Sequence, residues 1–389
     1  MAQSTVFSQV IKHISRRQFE ATVVGHKSDK GVRHLDCWTW FGALLFGQLT
    51  GHDSIRAIER VFCHGNKRFT KLGFSPVCRS TLADANRTRP LKILETTLGH
   101  LIQKARRFYP QKHGFRFQGN LFALDSTILN LCLSLSPWAN FRKGKAAAKL
   151  HTAIDLAGDL PDIVVITPAK ANDIPVAKRY ARFSKGTTVV IDRGYWCSSW
   201  LSDLNEQGVY FVTRQRRNNR FKVVESRPTN RTQGYICDQI VYQIPGKTWQ
   251  KKKFKYRGKL RRISYNDPDT GKRLVFLTNR FDLATSTICE LYKARWKVEL
   301  FFKTLKQHLR VKKFLGTSAH AVQAQILVAL IAYTLVQLLR FQNKSRVSMP
   351  DAMAILNTLI LLKVPVATLL GELPRTTHHP PPPQLVLNF

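Results

Sequence analysis

Between residues 119 and 213 the sequence runs in short β-branched or aromatic stretches, "NLFALD", "KLHTAIDL", "DIVVITP", "TVVID" and "VYFVTRQ", separated by Gly, Pro, Asn and Asp signals. Two segments among them, "NDIPVAKRYARF" and "CSSWLSDLNEQ", carry helical spacing. Strands that alternate with helices bury their apolar faces by layering, so this stretch predicts an α/β domain. Two strands close on aspartate: Asp125 ends "NLFALD", and Asp192 ends "TVVID" and leads into "RGYW". A carboxylate at a buried strand end is costly unless an opposite charge or a cation meets it. Each also has a plainer reading, Asp125 as a turn acid bonding Ser126 or Thr127, Asp192 as an ion pair with Arg193.

The flanks differ in texture. Residues 1–118 read as a helical domain: "CWTWFGALLFGQLTG" is a buried helix ended by glycine, and "CRSTLADANRTRP" is a short one stopped at Pro90. Residues 214–278 read as a β-rich, basic insertion that includes "KKKFKYRGKLRR" (251–262), a phosphate-tracking surface or a lysine-guarded sheet edge. Helices return over 279–345, and 346–389 hold a last helix and the tail "HHPPPP". Helices are predicted to resume near Thr285 and run through Leu309, with residues 292–307 starting a long one. On it Tyr292, Arg295, Glu299 and Lys306 fall within an arc of roughly 60° at about 100° per residue. Val298, Phe301, Phe302 and Leu305 take a separate, core-forming side.

Charge narrows the function. Among 389 residues, 62 Lys+Arg face 24 Asp+Glu, a formal net of +38. A field of that sign calls for a polyanion, and nucleic acid is the first candidate. A membrane is disfavoured: the N-terminal residues have no apolar signal region, and "ILVALIAYTLV" (326–336) is too short to span a bilayer. The seven cysteines contain no Cys-x-x-Cys pair, which fits reduced thiols in a cytoplasm and argues against disulfides or zinc. On so basic a chain, Asp125, Asp192 and Glu299 together suggest an oxygen-ligand site for two Mg²⁺ ions working on a phosphodiester.

The motifs resemble those of the DDE transposases of bacterial insertion sequences, in the large group with a Tyr-Arg-Glu-Lys signature. Tyr292, Arg295, Glu299 and Lys306 match that signature in spacing, and "ALDSTILNLCLS", "IDRGYW" and "KLHTAIDL…ITPAKANDIPVA" match the aspartate regions and the stretch between them. The resemblance covers roughly residues 119–340. It implies a ribonuclease H-like core with a β-rich insertion, preceded by a helical N-terminal domain and followed by C-terminal helices. It implies Asp125, Asp192 and Glu299 as ligands of two Mg²⁺ ions, for which Mn²⁺ can substitute. Tyr292, Arg295 and Lys306 become contacts to double-stranded DNA at the element's terminal repeats, with Arg193 and Trp249 as further DNA contacts and a dimer on the DNA ends. Three alternatives stay open at this point: a nuclease that cuts without joining, a DNA-binding repressor whose carboxylates do not act, and, more distantly, a glycosidase built on paired acids.

Overall fold

The computed structural model describes residues 4–109, 115–131, 140–142, 145–244, 256–268, 270–307 and 314–371. The N-terminal helices are α1 (Val6–Ile11), α2 (Arg16–Gly25), α3 (Cys37–Thr50), α4 (Ile55–His64), α5 (Asn66–Thr70), α6 (Arg79–Thr88) and α7 (Leu91–Arg106). The α3 start is fixed by Asp36, whose side chain accepts from Thr39 N–H at 2.7 Å, and its end by Gly51 in the left-handed region at φ 65°.

Strands follow: β1 (Leu121–Leu131), β2 (Asn140–Arg142), β3 (Lys145–Asp155) and β4 (Leu160–Pro168). Next come α8 (Asp173–Tyr180), β5 (Thr188–Ile191), α9 (Ser198–Glu206) and β6 (Tyr210–Arg214). The run β7 (Arg220–Arg227), β8 (Tyr235–Ile244), β9 (Leu260–Asn266) and β10 (Arg273–Thr278) leads to α10 (Thr285–Ala294) and α11 (Trp296–Gln307). The last helices are α12 (Ala319–Gln342), α13 (Met349–Leu359) and α14 (Val366–Leu370). Among the described residues the strands form one sheet in the order β2-β3-β1-β5-β6-β10-β9-β8-β7, with β4 also paired to β3. The strands of 214–278 therefore continue the central sheet, joined to it where β10 pairs antiparallel with β6.

Two features differ from the sequence reading. Asp125 does not close its strand: β1 runs on to Leu131 because antiparallel pairing with β3 continues past it, with Asp125 opposite Thr152. The helix read over 292–307 is not continuous either. It is interrupted at Arg295, whose N–H turns back to Tyr292 O and whose carbonyl receives Val298 N–H, both at 3.1 Å, closures of three residues that tighten the chain there.

Side-chain alternation decides which layer sees which residue. On β1, Leu121 and Ala123 enter the core on the face covered by the long helices, while Phe122 and Leu124 enter a second core with α8 and α9. On β5, Val190 joins the first core, and Val189 and Ile191 the second. Helix α12 is apolar and long enough to cross a membrane, yet 94% of its most apolar window is buried against the rest of the protein. It packs on α3 and α7, so the N-terminal helices share one core with α10 and α11.

The outer strands are fastened by a buried ion pair. Arg261 on β9 donates to both oxygens of Asp238 on β8 at 2.9 and 2.5 Å, and to the Leu283 carbonyl just before α10. Thr285 Oγ1 completes the set, donating to Asp238 at 2.9 Å. Breaking such a pair leaves an uncompensated buried charge. Arg261→Met should therefore lower unfolding stability by ~3–5 kcal/mol in urea titrations, and adding Asp238→Leu should recover most of the loss. A single variant as stable as the double one would show that the clamp carries no weight.

Candidate active site

The parallel pairing of β1 with β5 sets the site. Leu121 faces Thr188 and Leu124 faces Ile191, so the next residues on the two chains are Asp125 and Asp192. By the alternation above, both turn toward the helical layer that holds α11. Asp192 leaves the end of β5 as the cap of a short 3-10 turn, Arg193–Tyr195, and its Oδ2 accepts Gly194 N–H at 3.0 Å. Asp125 Oδ1 accepts Ser126 N–H at 2.8 Å, while its Oδ2 lies 3.4 Å from Arg295.

Arg295 joins the third acid to these. Its guanidinium donates to Glu299 Oε1 at 2.6 Å, one helical turn on, while reaching Asp125 across the layer. Tyr292 positions it: the buried ring packs on Phe276 at 4.8 Å between centroids, and the guanidinium lies 5.7 Å over the tyrosine. Burial raises the Tyr292 phenol above its ordinary range, so it stays protonated.

The Asp125 carboxyl is pushed up to about 6. Burial is the main cause; the Ser126 N–H and Arg295 pull it down, and Asp192 and Glu299 push it further up. Asp125 thus senses both other acids, and Arg295 is the cation it shares with Glu299. Among the described residues no three acidic, imidazole or thiolate groups stand in ligating arrangement. In donor chemistry the acids fit a hard divalent ion: all are oxygen ligands, and burial holds one of them above the usual carboxylate range.

Other predicted residues are more dispersed. Lys306 lies half-buried on the last turn of α11, and Arg193 is exposed beside Asp192. Arg193 makes no ion pair with Asp192; its carbonyl instead accepts from Arg216 Nε at 2.6 Å, and Gly194 O accepts from the same guanidinium at 2.7 Å. Trp249, residues 251–255 of the basic run and the proline tail lie outside the described residues.

The sequence reading missed Arg216, and also a polar cluster around Asp173. Asp173 Oδ1 accepts from Ser126 Oγ at 2.8 Å and from Lys149 Nζ at 3.3 Å; His151 Nδ1 stands 3.4 Å away. Burial lowers His151 to about 4, with Lys149 adding to the shift and Asp173 opposing it, so the ring is neutral. A signal was present in the Asn172–Asp173 pair: Asn172 caps α8, leaving the next acid free for another partner.

Comparison with known proteins decides which family the chain belongs to. Residues 116–335, more than half of the chain, match the model of the transposase DDE domain. The chain belongs to the DDE transposase family. It is 32% identical to the candidate transposase y4zB of Sinorhizobium fredii, over 69% of this transposase and 73% of that protein. Identity is 29% to the probable transposase for insertion sequence element IS5377 of Geobacillus stearothermophilus, over 73% of each. Residues 2–75 match a domain of unknown function (DUF4372). A piggyBac transposase synaptic complex with hairpin DNA aligns at 12% identity and a TM-score of 0.42, over 83% of this transposase and 70% of that chain, below the level at which a shared fold follows. The transposase is an enzyme that acts on DNA, and its family implies dependence on a divalent metal.

Arg216 offers a test of how the Asp192 turn is held. Two charge-assisted bonds fix that turn, and in so exposed a place solvent screening leaves them together about 1.4 kcal/mol. Arg216→Ala should slow DNA cleavage by the transposase about tenfold while leaving the melting temperature nearly unchanged. Cleavage at the wild-type rate would show that the turn holds itself.

Proposed function

We propose that the transposase cuts DNA at the ends of an insertion sequence and joins them to a target, with Asp125, Asp192 and Glu299 as its metal-binding acids. The carrying observation is the adjacency of Asp125 and Asp192 in register, with Glu299 tied to Asp125 through Arg295. In nicking, a water oxygen attacks phosphorus and the bond to the 3′ oxygen breaks, leaving a 3′-hydroxyl and a 5′-phosphate. In joining, that 3′-hydroxyl attacks a target phosphorus while the target's P–O3′ bond breaks, and the proton lost by the attacking hydroxyl is balanced by the one gained by the departing target 3′ oxygen. Two divalent ions, Mg²⁺ or Mn²⁺, would supply Lewis acidity and a more acidic attacking hydroxyl when bound.

The chain's own residues orient the DNA. Arg295 is braced by Tyr292 and carries a delocalised charge suited to a phosphate. Lys306 and Arg193 are assigned further phosphate contacts, and Trp249 a base contact. The antiparallel trio β4-β3-β1 followed by parallel β5 and β6 supports a ribonuclease H-like core. In this reading 1–118 is a DNA-binding unit, 119–213 and 279–345 are the two parts of the core, 214–278 is the insertion, and 346–389 closes the chain. A dimer on paired DNA ends, in the cytoplasm, completes the proposal.

Glu299 and Lys306 should fail differently. Glu299→Gln removes an acid and should abolish nicking and joining while duplex binding persists, as should Asp125→Asn or Asp192→Asn. Lys306→Ala removes one charge-assisted contact, about 1.5–3 kcal/mol, and should slow end processing roughly ten- to a hundredfold. Normal cutting by Glu299→Gln would remove it from the metal site. Nicking without strand transfer by the wild-type protein would make it a nuclease.

A further inference from the structure

The N-terminal helices carry a polar cleft outside the acidic site. It lies between α2 and α7, holds about 220 Å³, and presents His13, Gln18, His100, Lys104 and Arg107 above a floor of Phe19 and Leu101. None of its lining residues is acidic. Lys104 is pinned in place, its Nζ donating to the His13 carbonyl at 2.9 Å. The side chains of His100 and Arg107 have no partner among the described residues, so their donors are available to a guest.

Several chemical features narrow the guest. Cationic and polar donors without a carboxylate select an anion. Burial, with Lys104 and Lys12 adding to it, drives His13 down to about 4, so His13 is neutral and the cleft's fixed cations are Lys104 and Arg107. The volume falls below the roughly 300–1,000 Å³ of pockets that enclose a whole small molecule, so it suits one group projecting from a longer chain. A phosphodiester has that form.

We propose that the α2–α7 cleft is a phosphate seat, in which His100, Lys104 and Arg107 hold one backbone phosphodiester of duplex DNA at a distance from the catalytic acids. This rests on the reading of the chain as a DNA-joining enzyme, and it gives the N-terminal region a defined task. Lys104 serves two roles, bracing the His13 carbonyl and facing the guest, whereas His100 and Arg107 face the guest alone.

The test uses the full chain and a labelled random-sequence duplex, with binding measured across a salt series. His100→Gln combined with Arg107→Gln should lower the log–log salt slope by about one, the contribution of one phosphate, and weaken binding roughly tenfold. Lys30→Gln removes one exposed cation outside the cleft and should leave the slope unchanged. Equal slopes for the double variant and wild type would overturn the seat, and so would an equal fall in Lys30→Gln. Thermal melts with inorganic phosphate form a second arm: a double variant that loses phosphate stabilisation but keeps its slope would mark a free-anion pocket, which also overturns the DNA assignment. If the seat fails while Glu299→Gln still abolishes cleavage, the active-site reading stands by itself.

Discussion

The parallel pairing of β1 with β5 is the constraint on which the site depends. It sets Leu124 beside Ile191 and brings Asp125 and Asp192, distant in sequence, to neighbouring positions. Its neighbours act differently on the two ends. The antiparallel partner β3 keeps β1 extended beyond Asp125, whereas β5 stops at Ile191 and releases Asp192 into a tight turn. One acid is thereby rigid and half-buried, and the other sits at the edge, where Arg216 bonds to the two carbonyls that follow it.

Burial makes a charged Asp125 costly, Asp192 and Glu299 add to that cost, and the raised Asp125 carboxyl records it. Arg295 offsets it. The break between α10 and α11 falls at this residue, so Tyr292 stays in the core against Phe276 while Arg295 reaches the sheet and Glu299. A cation held between acids by hydrogen bonds, with its aromatic neighbour fixed by packing, is the local organisation expected where charge must later be exchanged for substrate or metal. The Asp238–Arg261–Leu283 clamp fixes the outer strands to the chain entering α10, and so links the sheet's far half to the helix that carries Tyr292.

Much of this was legible in sequence because it depends on local pattern. β-branched runs gave the strands of the central sheet, and the alternation of strand and helix gave the layers. The spacing from Tyr292 to Lys306 and the two aspartate motifs gave the family. What escaped depends on pairing across long separations. That β10 joins β6, making the basic strands one sheet with the core, is a choice of partner that no single strand encodes. The extension of β1 past Asp125 likewise comes from β3. Arg216 is one arginine among 62 basic residues, and only the turn it holds distinguishes it. Asp173 sat behind a helix cap that explained it well enough locally. The interruption falls at Arg295, where Tyr292 packs on Phe276 and Arg295 reaches Asp125 from a distant strand, contacts that helical spacing does not encode.

The central claim is that three separated segments meet around one metal site. Ferrous iron used in place of magnesium, with ascorbate and peroxide, produces radicals that cut the backbone within reach of the bound ion. The account predicts cuts confined to three places, near residue 125, near residue 192 and over 295–299, all lost together in Asp125→Asn. Cuts at one of these segments alone, or a pattern unchanged by Asp125→Asn, would contradict it.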